Sequence, residues 1–189
     1  MILFFDTETT GRTTKAAYLH PSQPDLVQIG ALLSTDGGEI VAQVEFLVKP
    51  NGWIIPDEAA AVHGYTTEFC EKHGVPRRMA LNAFNALCRR AEMMVAFNLD
   101  FDLRVMKTQF LRENITDEME ALQGRCAMLA AKPILQLPGQ YGDYKWPNLA
   151  EAHQFFFNAA FDGAHSALAD AAACARVWIE IQKRGALSV

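Results

Sequence analysis

The chain has 189 residues, half of them hydrophobic and 21% charged, which excludes a disordered or fibrous protein and suits one globular domain. No run approaches the ~20 uninterrupted apolar residues of a membrane span, and the N-terminus shows no basic segment and cleavage site, so a cytoplasmic protein is expected. A net charge of −5 excludes a long sequence-independent grip on nucleic acid, whose footprint is basic.

Residues 2–5 are apolar and read as a buried strand, interrupted at its end by Asp6 and Glu8. Side chains alternate along a strand, so the two acids share a face, roughly 7 Å apart. Neighbouring carboxylates repel unless a proton or a cation lies between them, and hard divalent cations prefer oxygen ligands. A bare D-x-E is equally what a strand ending at Asp6, with Glu8 in an exposed turn, would look like.

Residues 12–25, with two prolines and no periodicity, read as a surface loop. Residues 26–33 form a second strand, Asp36-Gly37-Gly38 a hairpin turn and residues 40–48 a third strand, together an antiparallel meander. Pro56 opens a short helix ending near Gly64, and another from Thr66 to His73 stops at Gly74. Pro76 opens a longer helix to about Ala91, with Met79, Leu81, Phe84, Leu87 and Cys88 inward and Arg77, Arg78, Arg89 and Arg90 on a solvated face. Residues 93–97 are a fourth strand, and Asp100 to about Arg112 a helix with Leu103, Met106, Phe110 and Leu111 inward. A helix from Cys126 to about Ala131 ends at Pro133, and a Gly/Pro/Tyr loop fills residues 136–146. Asn148 caps a helix to about Phe157. The last helix runs from near Ser166 to Lys183, with Leu168, Ala171, Cys174, Ala175, Trp178 and Ile179 inward. Cys70, Cys88, Cys126 and Cys174 are too scattered for a metal motif and read as reduced core thiols. No repeat or linker divides the chain, so one domain over residues 1–189 is expected.

Three stretches gather the remaining polar chemistry: Phe5-Asp6-Thr7-Glu8-Thr9-Thr10-Gly11, Asn98-Leu99-Asp100-Phe101-Asp102, and His165 five residues before Asp170. In a helix five residues rise about 7.5 Å, so His165 can overhang a site that Asp170 reaches. In this order the stretches resemble the three motifs of the DnaQ-like (DEDDh) 3′–5′ exonucleases of the RNase H-like superfamily. The resemblance extends to residues 25–30, Lys49-Pro50, Ile55-Pro56 and His63-Gly64-Tyr65-Thr66, and Lys145-Trp146-Pro147-Asn148-Leu149 is similar to stand-alone phage-type members. Matching N-x-x-F-D aligns the second-motif acid to Asp102 and leaves Asp100 as a helix cap. Two positions depart: Phe97 stands where that motif usually has His, and Arg12 where members often carry a Leu or Met wedge.

The resemblance implies an α/β, RNase H-like fold, a mixed five-stranded sheet of three antiparallel strands plus a parallel pair, with helices on both faces. It implies hydrolysis at the 3′ end of single-stranded DNA, releasing nucleoside 5′-monophosphates. Asp6, Glu8, Asp102 and Asp170 would hold two divalent metal ions, Mg²⁺ or Mn²⁺, and His165 would be the general base. Thr9, Thr10, Gly11, His63, Asn98 and Phe101 would bind the terminal nucleotide. Cations at that site place positive charge where phosphate sits, which reconciles the acidic chain with a nucleic-acid ligand. The implied partner is a single-stranded 3′ end, DNA ahead of RNA, with a polymerase or other nucleoprotein complex as candidate protein partner and no membrane. An RNA-trimming ribonuclease and a non-catalytic exonuclease-like module are the alternatives, the second disfavoured because all five catalytic positions are filled.

Overall fold

The computed structural model describes residues 1–140 and 142–185. Five strands form one sheet in the order β3-β2-β1-β4-β5: β1 (Ile2–Thr9), β2 (Leu26–Ser34), β3 (Ile40–Leu47), β4 (Met93–Ala96) and β5 (Gln123–Cys126). The first three are an antiparallel meander, and β4 and β5 run parallel to β1, as the resemblance implied. The helices are α1 (Asp57–His63), α2 (Thr67–His73), α3 (Arg77–Cys88), α4 (Leu99–Glu113), α5 (Ala127–Leu135), α6 (Leu149–Phe157) and α7 (Ala167–Lys183).

The alternation of β1 sorts its side chains into two cores. Leu3 and Phe5 pack with Phe84, Met106 and Phe110 beneath α3 and α4, whereas Ile2 and Phe4 pack with Ala171, Cys174 and Trp178 beneath α5, α6 and α7. Because both faces are covered, β1 and β2 need apolar residues on both, hence their nearly unbroken hydrophobic runs. Each fully buried Phe or Leu here contributes about 1.5–3 kcal/mol relative to exposure.

Several local expectations are corrected. Cys126 ends β5 rather than opening a helix, and α5 continues past Pro133 to Leu135. The buried stripe Ala127, Ala131 and Leu135, at i, i+4 and i+8, holds that helix together across the one bond the proline cannot make. The helix α3 stops at Cys88, short of Ala91, and Met79 and Leu111 are exposed (53% and 46%), each just off its helix's buried face. On α7, Leu168 and Ile179 are half-buried, and Ala167, Ala173, Val177 and Ile181 complete the inner face. Asp100 is no cap, since α4 already starts at Leu99 and Asp100 lies exposed in its first turn. Nor is Arg77 on a solvated face. Its guanidinium bonds Asp25 at 3.0 Å, Glu113 at 2.9 Å and Gln109 at 3.0 Å, and Arg112 reaches the same Asp25 oxygen at 2.7 Å. The loop of residues 12–25 folds back over α3 and α4, and its terminal carboxylate makes Arg77 an internal clamp.

All four cysteines are free; Cys70, Cys88 and Cys174 are buried and Cys126 half-buried. Among the described residues no helix is long and apolar enough to cross a membrane.

Candidate active site

The site forms where the parallel strands part. The β1–β4 ladder ends at Phe4↔Val95, while β1 runs on to Thr9. Ligand sites of open α/β sheets form at such crevices beyond strand C-termini. With no strand on its β4 side, the Thr7 N–H donates to Asp102 Oδ1 at 3.1 Å, and the Thr7 hydroxyl donates to the same oxygen at 2.8 Å. Thr7 shares the face of Leu3 and Phe5, toward α4, so α4 delivers Asp102 from that side.

Asp6 and Glu8 continue the opposite face, that of Ile2 and Phe4, over which α7 brings Asp170. The approach is close because residue 30, paired with Asp6 in the ladder, is glycine. A Cβ there would sit 2.1 Å from the Leu168 amide nitrogen. The start of α7 is held by Gln28, the ladder partner of Glu8: its Oε1 accepts the Ala167 N–H at 2.8 Å, and its Nε2 donates to the Tyr65 hydroxyl at 2.9 Å and to Glu45 at 3.1 Å. Ser166 also donates to Glu45, at 2.8 Å. A bulge between Glu8 and Thr9 then turns the strand out of register with β2.

His165 occupies the turn just before α7 with φ 71°, a left-handed conformation unusual for a side chain of this size and a form of strain that clusters at functional sites. One ring nitrogen of His165, one Glu8 oxygen and one Asp170 oxygen all lie within 4.8 Å of one another.

All four carboxylates titrate above their ordinary range. Burial pushes Asp6 well above the usual carboxylate range, and Asp102, Asp170 and Glu8 add to it. Glu8 is pushed up to about 8 by burial and by the charges of Asp170 and Asp102. Asp102 rises to about 7 through burial, although the two Thr7 hydrogen bonds favour its charged form. Asp170 is raised by burial, with His165 opposing, and its Oδ1 is buried with no hydrogen-bond partner. A set of acids, Asp102 buried and the other three half-buried, with raised pKa values and an orphaned oxygen fits a hard divalent cation.

Beside Glu8 opens a pocket of about 540 Å³ whose lining includes Thr9, Thr10, Gly11, Arg12, His63 and Phe101. His63 is 7% exposed; its Nδ1 accepts the Tyr65 N–H at 3.1 Å, which leaves Nε2 to carry the proton. Burial lowers its pKa, the Thr9 main chain opposes that, and His165 adds to the lowering, so the ring is neutral at pH 7. Five of the six residues expected to bind a nucleotide line this pocket. Asn98 instead lines a neighbouring groove, which shares Phe101 with it.

Thr7, Gln28, Gly30 and Tyr65 lie in stretches that the family resemblance covers but were given no individual role, and Glu45 and Ser166 left no such signal. Gln28 stands out further as the lone amide in a nine-residue strand that is buried throughout.

A family model described as an exonuclease, of the RNase T type, matches residues 3–178. No curated protein matches the chain. Among solved structures, E. coli exonuclease I in complex with a dT13 oligonucleotide aligns with a TM-score of 0.78 at 18% identity, covering 97% of this chain and 41% of that one. Its complex with a dA16 oligonucleotide gives 0.76 at 19% identity, covering 97% and 41%. The zinc-bound form of its single-stranded DNA complex gives 0.74 at 19%, covering 97% and 40%. The chain thus spans about two fifths of the length of these structures, and the likeness is one of fold.

Proposed function

The chain belongs to the exonuclease family whose model matches it from residue 3 to residue 178, and from that membership we propose a DEDDh-type 3′–5′ exonuclease that removes nucleoside 5′-monophosphates from single-stranded DNA. One observation carries the reading: Asp6, Glu8, Asp102 and Asp170 gather at the open end of β1, where burial raises all four and the charges of Asp102 and Asp170 raise Asp6 and Glu8 further, and an Asp170 oxygen is buried unpaired. Those four residues would hold two divalent ions, Mg²⁺ or Mn²⁺. Such ions, when bound, supply positive charge against the phosphate and its leaving oxygen and make water more acidic.

The chain's own residues do the rest. Thr7 fixes Asp102 by two hydrogen bonds, so this carboxylate need not reorganise when substrate arrives. Thr9, Thr10, Gly11, His63 and Phe101 line the pocket that takes the terminal nucleotide and would hold it in position for attack at a chain end. Neutral His63 keeps its Nε2–H as a hydrogen-bond donor without adding charge. His165, beside Glu8 and Asp170, takes the proton from the attacking water, a role suited to an imidazole near neutral pH. DNA is the proposed strand because the matched fold occurs in exonuclease I complexes with DNA oligonucleotides. The whole chain is proposed to act as one catalytic domain.

The test is hydrolysis of 3′-labelled and 5′-labelled DNA and RNA single strands by the purified protein in Mg²⁺, Mn²⁺ or EDTA. Immediate release of a 3′-label as mononucleotide, with a shortening ladder from the 5′-label, is expected for DNA and abolished by EDTA. Preferential trimming of RNA would reassign the substrate, and no cleavage with either metal would overturn the reading.

A further inference from the structure

A strand whose last nucleotide fills the pocket beside Glu8 must lead away across Phe101, the residue shared by that pocket and the next cavity. On its far side lies an open groove of about 700 Å³, lined by Lys15, Tyr18, Asn98, Arg104 and Trp146 among others, with Asp100 its one acid. Its chemistry is unlike that of the acidic chain around it. The Arg104 guanidinium lies 5.0 Å from the Tyr18 ring centroid, and the Lys132 ammonium 6.0 Å from that of Trp146. Trp146 is 65% exposed. This exposure belongs to a well-held segment: Lys145 N–H donates to the Leu137 carbonyl at 3.0 Å, and Asn148 and Glu151 form a reciprocal cap at the start of α6. An indole fixed in water forgoes burial unless a ligand covers it.

We propose that this groove is the track for the nucleotides 5′ to the scissile bond, with Trp146 as stacking platform for an unpaired base, Lys15 facing the phosphates, and Arg104, held to the Ala16 carbonyl and over the Tyr18 ring, lending positive charge to the wall. Aromatic faces joined to a cationic lining are how proteins hold single strands without reading sequence, because every base has a π face. The inference rests on the exonuclease reading for the direction of the strand. It adds that single strands longer than two nucleotides bind better than dinucleotides, and that duplex does not bind, because paired bases cannot reach the indole.

Two measurements on the full chain test it. In EDTA, dT6 should quench tryptophan fluorescence, and Trp146→Phe should remove most of the quench, since Trp178 is buried and Trp53 half-buried. A blunt hairpin should not quench, and rU6 should quench as dT6 does, because stacking ignores the 2′-hydroxyl. In Mn²⁺, KM should fall by about fivefold or more from dT2 to dT6, the contribution of one stacked base, and Trp146→Ala should flatten that dependence. A dT6 quench that survives Trp146→Phe, or a length dependence that survives Trp146→Ala, would overturn the groove. Wild-type protein that hydrolyses dT2 and dT6 with equal KM keeps the exonuclease reading and loses the groove. Trp146-dependent quenching without hydrolysis of any strand keeps a single-strand site and loses the exonuclease.

Discussion

Removing the charge of Glu8 should stabilise the metal-free protein. The folded carboxyl titrates at about 8 against an ordinary 4.5, first because it is buried and then because Asp170 and Asp102 repel it. At pH 7 the metal-free site keeps Glu8 protonated, and holding a proton across the gap from 4.5 to 7, at about 1.4 kcal/mol per pH unit, costs roughly 3 kcal/mol. The side chain is only half-buried and shares its repulsion with three other acids, so solvent screening reduces this to about 2 kcal/mol. A chain of this size should then gain about 4–8 °C in Tm when Glu8→Gln is melted in EDTA. The sign follows from the raised folded pKa. Between pH 4.5 and 8 the folded state holds a proton that the unfolded chain has released, so wild-type stability falls as pH rises through that window and flattens above it. Gln does not titrate, so the two proteins should melt alike near pH 4 and separate steadily toward pH 8. Millimolar Mn²⁺ should reverse the order, since a cation that binds only the folded wild-type site stabilises it by mass action. Calorimetry or circular dichroism over pH 4–8.5, with EDTA or Mn²⁺, reads all of this. A Gln variant that melts at or below wild type in EDTA at pH 8, or a gap that ignores pH, would refute the argument from carboxylate repulsion.

His165→Ala should lower kcat by about 10²–10⁴ while Mn²⁺ still raises Tm. Full activity of this variant would remove His165 from the mechanism. Asp102→Ala should abolish turnover and strand the buried Thr7 N–H, whereas Asp100→Ala, exposed in the first turn of α4, should keep turnover and cost only about 0.3–1 kcal/mol of helix-dipole stabilisation. Rates and melts with the opposite ranking would show the second motif to be misaligned. Gly30→Ala should destabilise by more than about 4 kcal/mol, because its Cβ meets α7 backbone at 2.1 Å rather than a flexible side chain. A wild-type melt for that variant would mean that α7 seats differently.

The periodicity of β1 is enough, from sequence alone, to place Asp6 and Glu8 on one face, and the spacing of the helical stripes is enough to find α3, α4, α6 and α7 to within a few residues. These are local properties, set by how each side chain meets the burial of its own element. The strand β5 escapes such reading, because Gln123–Cys126 has only four residues, none fully buried, and takes its conformation from the ladder to β4. Arg77 escapes it too, since a helical pattern cannot foresee that Asp25 will fold over the helix and turn a surface charge inward. In the site, the acids and the histidine proposed from the motifs sit in short local stretches, but their arrangement depends on groups far away in the chain. Thr7 meets Asp102 across 95 residues, and Gln28 meets Ala167 across 139. Such bonds form only when burial leaves a backbone N–H no water to turn to, and that is a property of the assembled tertiary structure, not of any window of residues. The same holds for the glycine that admits α7, for the neutral His63 and for the groove that begins at Phe101: each exists because two surfaces meet, and only the fold decides which ones do.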